Sequence, residues 1–216
     1  MDEFTPIDRM SWARESLFRL YTEVFTTTHF SSSVRLDVTN TVKMAKREGK
    51  KLVPAILYCF SREISKRDEL RVAERNGVLG RWNIMHPVYP VLNDDGNFTF
   101  HTVCYTENYA EFYASYFAEA ELNKAARGAY AGDAPENGFI ISVMPYFDFE
   151  SFGFSFKNAK GYYTPIVSVG KYRDENGRLT LPAAVTVNHA AADGYHIASL
   201  FDGVGRLLAE PERWMV

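Results

Sequence analysis

The predicted fold depends most on the stretch Ala184-Val185-Thr186-Val187-Asn188-His189-Ala190-Ala191-Ala192-Asp193-Gly194-Tyr195-His196. Residues 183–187 form an alternating apolar run, which predicts a β-strand that ends just before the histidine. An apolar helix is predicted from residue 195 to about residue 209. Because Asp193 lies where this helix begins, its carboxylate can cap free backbone N–H groups. The alanines beside His189 leave room for a long ligand to approach the imidazole.

His189 allows two interpretations. A histidine near the end of a strand is most often a partly buried side chain whose hydrogen bonds are satisfied. A strand end also holds a ring firmly while leaving it access to a cleft, as a general base requires. A metal site is disfavoured, because His189 and Asp193 supply only two ligands and His196 lies off their spacing.

The whole sequence predicts one globular domain. A chain of 216 residues with no repeat, linker or low-complexity tract is expected to fold as a single domain, 1–216. A net charge of −3 lacks the basic excess of a nucleic-acid-binding protein. Cys59 and Cys104 lie in apolar runs and are predicted to be buried thiols in a reducing compartment. The polar, acidic N-terminus is no signal peptide, and the longest apolar run, 52–60, is too short to span a membrane, so we expect a cytoplasmic protein without a membrane partner.

Helical and strand patterns alternate along the chain. Helices are predicted at residues 11–24, 40–48, 53–67, 109–127 and 195–209. Strands are predicted at residues 33–38, 70–74, 78–82, 88–92, 98–104, 139–144, 164–171 and 178–188. This interleaving predicts an α/β fold, a two-layer sandwich with a mixed β-sheet of at least five strands and helices packed on one face.

Ser142 and the segment that follows it allow a structural and a functional interpretation. A hydroxyl inside the apolar run 139–144 needs a hydrogen-bond partner or a chemical role, and a bond to backbone is the usual answer. Five phenylalanines then predict a strand with one buried, ring-bearing face. An aromatic-lined pocket or a subunit interface is the alternative. The five phenylalanines are Phe147, Phe149, Phe152, Phe154 and Phe156.

Several strings of residues together resemble one family. The pattern His-x-x-x-Asp-Gly at residues 189–194 resembles the acyl-CoA-dependent acyltransferases, and its extension through Tyr195-His196-Ile197-Ala198 is similar to the chloramphenicol acetyltransferases. Trp12-Ala13-Arg14 matches a Trp-x-Arg sequence that begins chains of that family. Ile141-Ser142-Val143-Met144-Pro145-Tyr146 matches its Ile-Ser-x-x-Pro-aromatic string. The resemblance spans essentially the whole chain and implies the same two-layer α/β fold.

The resemblance also implies a role for each matched residue. His189 would act as general base on an acceptor hydroxyl, Ser142 would donate to the oxyanion of the tetrahedral intermediate, and Arg14 would pair with a structural Asp193. Acetyl-CoA would be the acyl donor, without a metal. A homotrimer is implied, in which the base of one subunit meets substrate bound partly by its neighbour. The implied acceptor-binding residues are Tyr21, Thr28, Phe154, Tyr162 and Ser168, and the implied coenzyme A-binding residues are Tyr146 and Tyr172.

Several positions depart from the family pattern. Asn188 stands where a second histidine usually precedes the base, and Ile140 replaces an asparagine near Ser142. Ser168 replaces a threonine but keeps the hydroxyl, while Thr28 and Phe154 change the acceptor pocket. The expected function is therefore O-acetylation of chloramphenicol or a similar small hydroxyl acceptor. Two alternatives stay open: a lipoamide-type transacylase, which usually has an arginine where Ala190 stands, and a non-catalytic homologue that binds an aromatic ligand.

Overall fold

The computed structural model describes residues 2–26, 28–156 and 161–215. Over these residues, five α-helices interleave with ten β-strands. The helices are α1 (Glu15–Arg19), α2 (Thr39–Arg47), α3 (Leu52–Ile64), α4 (Tyr109–Leu122) and α5 (Gly194–Ala209). The strands are β1 (Phe4–Pro6), β2 (His29–Asp37), β3 (Val72–Arg75), β4 (Val78–Trp82), β5 (His86–Leu92), β6 (Phe98–Thr102), β7 (Gly138–Val143), β8 (Ile166–Val169), β9 (Arg173–Glu175) and β10 (Arg178–Asn188).

The larger sheet is mixed and has seven strands, in the order β2-β10-β8-β7-β5-β6, with β9 paired to β10. The pairs β5–β7 and β7–β8 are parallel, and the other pairs are antiparallel. Alternate residues of β10, including Val185 and Val187, enter the main core together with residues of helices α2 to α5. The predicted α/β sandwich with a mixed sheet is confirmed.

A smaller three-stranded sheet, β1-β4-β3, lies beside the N-terminal segment. Its β3–β4 hairpin turns at Asn76 and Gly77, whose φ angles of 53° and 76° lie in the left-handed region. Such angles at both turn positions are typical of the tight hairpin that an Asn-Gly pair predicts. The second hydrophobic cluster, which contains Phe18 and Tyr163, packs near this sheet.

Helices α1 and α4 are shorter than predicted, and α3 ends at Ile64 rather than at residue 67. The segment 11–24 is not one helix, because α1 begins only at Glu15 and is followed by a π-helical turn, Leu20–Val24. Residue Arg14 stays outside the helix, where its side chain reaches the loop after β10. Helix α4 ends at Leu122 rather than at residue 127, because the residues beyond it offer no apolar face to bury.

The aromatic segment 147–156 is not a strand, so the predicted buried strand face is wrong. The step of three residues from Phe149 to Phe152 breaks the alternation that a strand requires. The segment instead crosses the sheet face opposite the helices, where the Phe152 N–H donates to the Ser33 hydroxyl at 3.2 Å. Its rings contact one another in a chain, and Phe147 and Phe154 remain partly exposed.

The cysteines match the prediction only in part. Both are free, and Cys59 is buried as expected. Cys104 is exposed, because β6 ends at Thr102 and the chain leaves the sheet before it. None of the helices within the described ranges combines the length and the apolar character needed to span a bilayer.

Candidate active site

His189 follows directly after β10, which pairs with an antiparallel strand on each side. Strand β10 pairs with β2 along Thr180–Asn188 and with β8 along Ala183–Thr186, so its end is fixed from both sides. The His189 N–H donates to the Thr28 carbonyl at 2.9 Å, which extends the β2–β10 ladder by one bond. The backbone position of the imidazole is therefore set by the sheet.

The imidazole has one nitrogen engaged. His189 Nδ1 lies 3.2 Å from the carbonyl oxygen of Ala192. A carbonyl only accepts hydrogen bonds, so Nδ1 carries a proton, and in the neutral ring Nε2 then carries the lone pair. The ring is also stacked on Tyr21, with centroids 4.2 Å apart at 18°, and Phe30 lies at 5.6 Å. These contacts fix a ring whose Nε2 can act as a base.

Tyr21 owes its place to the π-helical turn Leu20–Val24. A π turn contains an extra residue per turn, which re-aims the side chains that follow, and such turns are frequent at functional sites. Tyr21, predicted to bind the acceptor, stands against His189 itself. Thr28, predicted for the same pocket, holds the histidine backbone and donates its hydroxyl to the Phe25 carbonyl at 2.7 Å.

Arg14 holds the loop 189–193 with all parts of its guanidinium. Its Nε donates to the Ala190 carbonyl at 2.9 Å, Nη2 donates to the His189 carbonyl at 3.0 Å, and Nη1 donates to Asp193 Oδ2 at 2.9 Å. The arginine side chain is 10% exposed and the aspartate 30%. The ion pair that the resemblance implied is thus present, and it forms part of a larger clamp on the histidine loop.

Asp193 serves the helix as well as the arginine. It is the N-cap of α5, and its Oδ1 accepts the Tyr195 N–H at 3.0 Å. Burial acts to raise the pKa of Asp193, but the hydrogen bond from Arg14 and the nearby charges of His196 and Arg14 hold that pKa below its ordinary value. The carboxylate is therefore charged and turned away from the free nitrogen of His189.

The contacts of His196 with Asp193 and Glu69 were not predicted from the sequence. Its Nδ1 accepts the Asp193 N–H at 3.2 Å and lies 2.9 Å from Asp193 Oδ1, while Nε2 lies 3.6 Å from Glu69 Oε1. Residue His196 is the third position of α5 and completes a capping box with Asp193. The spacing between an N-cap and its third helical residue was the available signal, although glutamate or glutamine is the usual partner.

Asn188, where the family usually has a histidine, supports the turn after β10. Its Oδ1 accepts the Ala190 N–H at 3.0 Å, and its Nδ2 donates to the Tyr162 carbonyl at 3.1 Å. Burial raises the pKa of the Tyr162 phenol. Tyr162 lines a cavity of about 190 Å³ that also includes Ile140. The side chains of Asn188 and Ile140, the two positions that depart from the family pattern, therefore lie on the side of the sheet away from the helical layer.

Ser142 lies elsewhere on the sheet. The register places it beside Ser168 of β8, which pairs in turn with Ala184 of β10. The Ser142 hydroxyl has no hydrogen-bond partner among the described residues, and the same holds for the buried Ser168 hydroxyl. Two neighbouring strands therefore present free hydroxyls on one row of the sheet.

The same register separates Ser142 from His189 within one chain. Ala184 precedes His189 by five residues, about 17 Å along a strand, and Ser142 lies two strand spacings to the side, about 10 Å. The two Cα atoms are then roughly 19 Å apart, more than two side chains can bridge. One chain alone does not bring the two predicted catalytic residues together.

A cavity of about 380 Å³ lies between α3 and the carboxyl ends of β7 and β8, on the helical face of the sheet, whereas the Ser142 side chain points to the opposite face. Its walls are mainly apolar and include Val143, Pro145 and Leu52. Lys171 and Tyr172 stand at the same cavity, which brings one predicted coenzyme A residue to it. Tyr146, the other one, is 70% exposed and is not among the lining residues.

The remaining predicted residues do not all meet. Phe154 lies over β10, where its N–H donates weakly to the Thr186 hydroxyl at 3.5 Å. Ser168 lies on the row of Ser142, whereas Tyr21 and Thr28 lie at His189. In the part of the chain that the structure describes, no group of three or more side chains stands together to ligate a metal.

Two solved structures share this architecture. A chloramphenicol acetyltransferase superposes with a TM-score of 0.81 at 21% identity, over 95% of this chain and 100% of that chain. A dihydrolipoamide acetyltransferase of Azotobacter vinelandii gives a TM-score of 0.63 at 18% identity, over 99% of this chain and 94% of that chain. This chain therefore shares the fold of these two acetyltransferases.

Sequence relationships are more specific than the fold. A family model for chloramphenicol acetyltransferase matches residues 2–204. A chloramphenicol acetyltransferase of Bacillus pumilus is 33% identical over 215 residues, which cover 98% of this chain and 96% of that relative. The chain belongs to the chloramphenicol acetyltransferase family.

Proposed function

We propose that this protein transfers the acetyl group of acetyl-CoA to a hydroxyl of chloramphenicol or of a similar small acceptor. Membership of the family supports this reaction. The observation that carries the mechanism is the single engaged nitrogen of His189, because the Ala192 carbonyl fixes the tautomer in which Nε2 is a base. The free thiols Cys59 and Cys104 support a cytoplasmic location.

The chemical step begins at His189 Nε2. This nitrogen takes the proton of the acceptor hydroxyl while the hydroxyl oxygen bonds to the thioester carbonyl carbon, which forms a tetrahedral oxyanion. Collapse of that intermediate breaks the carbon–sulfur bond, and the imidazolium returns the proton to the sulfur of coenzyme A. The base is restored, and the products are the acetyl ester and free coenzyme A.

Ser142 is the proposed donor to the oxyanion. Its hydroxyl is unengaged among the described residues and points to the sheet face opposite the helices, where it is available to a carbonyl oxygen that enters on that face. A single donor of this kind contributes about 3 kcal/mol to the transition state. Ser168 on the neighbouring strand offers a second free hydroxyl to the same region.

Acetyl-CoA is proposed to enter through the cavity that contains Lys171 and Tyr172. An ammonium group and a phenol ring suit the phosphate groups and the adenine, while the apolar walls suit the thin pantetheine arm. To reach the Ser142 hydroxyl, the thioester would then have to pass the carboxyl ends of β7 and β8 to the opposite face of the sheet. The acceptor then has to approach together with His189.

The proposed active site is shared between subunits of a homotrimer. Within one chain, roughly 19 Å separate the Cα atoms of His189 and Ser142, so a complete site needs His189 from one copy and Ser142 from another. The resemblance implies three copies. Sedimentation that shows a monomer at micromolar concentration would contradict both the assembly and the shared site.

The reaction is tested by following thiol release from acetyl-CoA with a thiol-detecting reagent. The acceptor panel contains chloramphenicol, other small alcohols and dihydrolipoamide. Thiol release with chloramphenicol or another alcohol supports the proposal. Acetyl transfer to dihydrolipoamide consumes one thiol for each thiol it frees, so this acceptor is followed by mass spectrometry of its S-acetyl product. Formation of that product with no acetylation of any alcohol would identify a transacylase, and binding of an aromatic acceptor without any acetyl transfer would identify a non-catalytic homologue.

The shared site is tested by combining two inactive chains. His189→Ala and Ser142→Ala chains are co-expressed in equal amounts, so random assembly gives about one quarter of the sites an intact His189 and an intact Ser142. Activity near one quarter of the wild-type value is expected. The control combines His189→Ala with a chain that carries both substitutions, where no complete site can form. Activity no higher than the mean of the two purified variants would place both residues in one chain.

A further inference from the structure

A second cavity lies in the helical layer, away from His189. It has a volume of about 550 Å³ and lies between α3, α5 and the helical turn Pro211–Arg213. Asp193 marks the start of α5, and Arg206 of this cavity comes 13 residues later, about 20 Å along the helix axis. The cavity is therefore separate from the proposed acetyl-transfer site.

Its lining is strongly basic. Five cations face two carboxylates, Glu63 and Glu210, which gives a net charge of +3 in a chain whose net charge is −3. A concave surface of one sign concentrates the electrostatic field and attracts ions of the opposite sign. The five cations are Arg62, Lys66, Arg67, Arg206 and Arg213.

The carboxylates are already committed to other cations. Glu63 is buried between the helices and lies 2.8 Å from both Lys66 Nζ and Arg67 Nη1. Burial acts to raise the pKa of Glu63, but the hydrogen bonds from Lys66 and Arg67 hold that pKa below its ordinary value, so the carboxylate is ionised. Glu210 pairs with Arg213 at 3.0 Å. Neither acid is available to the other two arginines.

Those two arginines have no carboxylate within the described residues. Arg62 Nη1 donates only one long hydrogen bond, 3.4 Å, to the Tyr58 hydroxyl. The Arg206 side chain makes no hydrogen bond or ion pair with any residue that the structure describes. An exposed arginine such as Arg206 needs no protein partner, but two guanidinium groups at one cavity that no carboxylate engages leave paired N–H donors open to an anionic ligand.

We propose that this cavity binds a compact phosphorylated anion with at least two negative charges. Guanidinium groups bind phosphate oxygens through paired N–H donors, and Arg62 and Arg206 each have those donors free. Apolar side chains are few in the lining, so charge rather than ring stacking selects the ligand. Inorganic pyrophosphate is the simplest anion with the required charge and size.

The experiment measures pyrophosphate binding by isothermal titration calorimetry at low ionic strength. The wild-type chain is expected to bind with a Kd below about 1 mM. The variant Arg62→Gln/Arg206→Gln should weaken binding at least about tenfold, because both free guanidinium groups are lost. The matched control Arg19→Gln/Arg47→Gln removes the same charge from exposed arginines elsewhere and should keep Kd within about twofold.

Two further measurements keep the proposal open to failure. If the double variant does not fold, Arg206→Gln alone replaces it, since that side chain has no partner among the described residues to lose. Saturating acetyl-CoA should leave the pyrophosphate Kd unchanged. Undetectable wild-type binding, equal weakening in the control, or displacement of pyrophosphate by acetyl-CoA would each overturn the site, whatever the outcome of the acetylation assay.

Discussion

His189 and His196 lie seven residues apart in the sequence, yet their imidazoles make different hydrogen-bond contacts. His189 uses one nitrogen on the Ala192 carbonyl and keeps the other free. His196 faces Asp193 with one nitrogen and Glu69 with the other. Both side chains are shielded, so burial does not distinguish them. The two histidines differ in how many ring nitrogens lack a protein partner: one in His189 and none in His196.

The comparison explains why Asp193 is the neighbour of one histidine and not of the other. A carboxylate on Nδ1 of His189 would have been the simplest way to strengthen the base. Instead, the neutral carbonyl of Ala192 orients that ring. The carboxylate of Asp193 contacts Arg14, the N-terminus of α5 and His196. The base and the scaffold of the loop are therefore separate parts, which substitutions should be able to tell apart.

The largest effect is expected for His189→Ala. Loss of the base should lower kcat by about 100-fold to 10,000-fold, and KM for acetyl-CoA should stay nearly unchanged, because the imidazole acts only in the transition state. Steady-state kinetics with a working hydroxyl acceptor measure this. An active His189→Ala variant beside an inactive His196→Ala variant would reverse the comparison of the two histidines.

Ser142→Ala tests whether the chemistry extends beyond the histidine end of β10. We expect kcat to fall by about 100-fold to 1,000-fold, as for other single oxyanion donors, with correct folding. Ser33→Ala is the matched control, because Ser33 lies on the same row of the sheet but its hydroxyl contacts the backbone of Phe152. Equal losses in the two variants would assign Ser142 a structural role.

Arg14→Gln should act on stability more than on the chemical step. It removes the guanidinium that serves Asp193 and two backbone carbonyls, so the free energy of unfolding should fall by about 2–4 kcal/mol. Arg19→Gln, in the same segment, removes only an exposed pair with Glu23 and should leave the free energy of unfolding almost unchanged. Chemical denaturation of both variants measures the difference.

The smallest substitution effect is expected for His196→Ala. Loss of the capping box should lower the free energy of unfolding by about 1 kcal/mol, while kcat should stay within about threefold of wild type. Denaturation and steady-state assays on one preparation provide both values. A kcat loss comparable to that of His189→Ala would mean that the second imidazole takes part in the reaction.

The pH dependence of stability sharpens the role of Asp193. Its pKa is lowered in the folded protein, so its contribution is complete above the ordinary aspartate pKa and is lost as pH falls through the folded pKa. Acidification from neutral pH to below the folded pKa should therefore destabilise wild type more than Asp193→Asn. Identical pH profiles would show that the carboxylate gains nothing from Arg14.

The sequence predicted the β10 hairpin, the histidine and α5 because strand alternation, an Asp N-cap and a helical stripe are local patterns. The family motif supplied Ser142 and Arg14. Their positions could not be predicted locally, since the roughly 19 Å between Ser142 and His189 depends on the register of three strands. The π-helical turn that places Tyr21 is likewise set by tertiary packing rather than by any pattern within residues 11–24.

The Arg14 clamp also determines when during folding the histidine loop becomes ordered. Its bonds join residues that are 175, 176 and 179 positions apart in the chain. Closing a loop of that length costs about 5 kcal/mol of chain entropy, so such contacts form late in folding. A nascent chain has Arg14 long before it has residues 189–193, so the clamp cannot form until those residues have been made. The imidazole is thus ordered only when both segments are present, and a polypeptide cut before residue 189 would lack both His189 and the helix that lines the basic cavity.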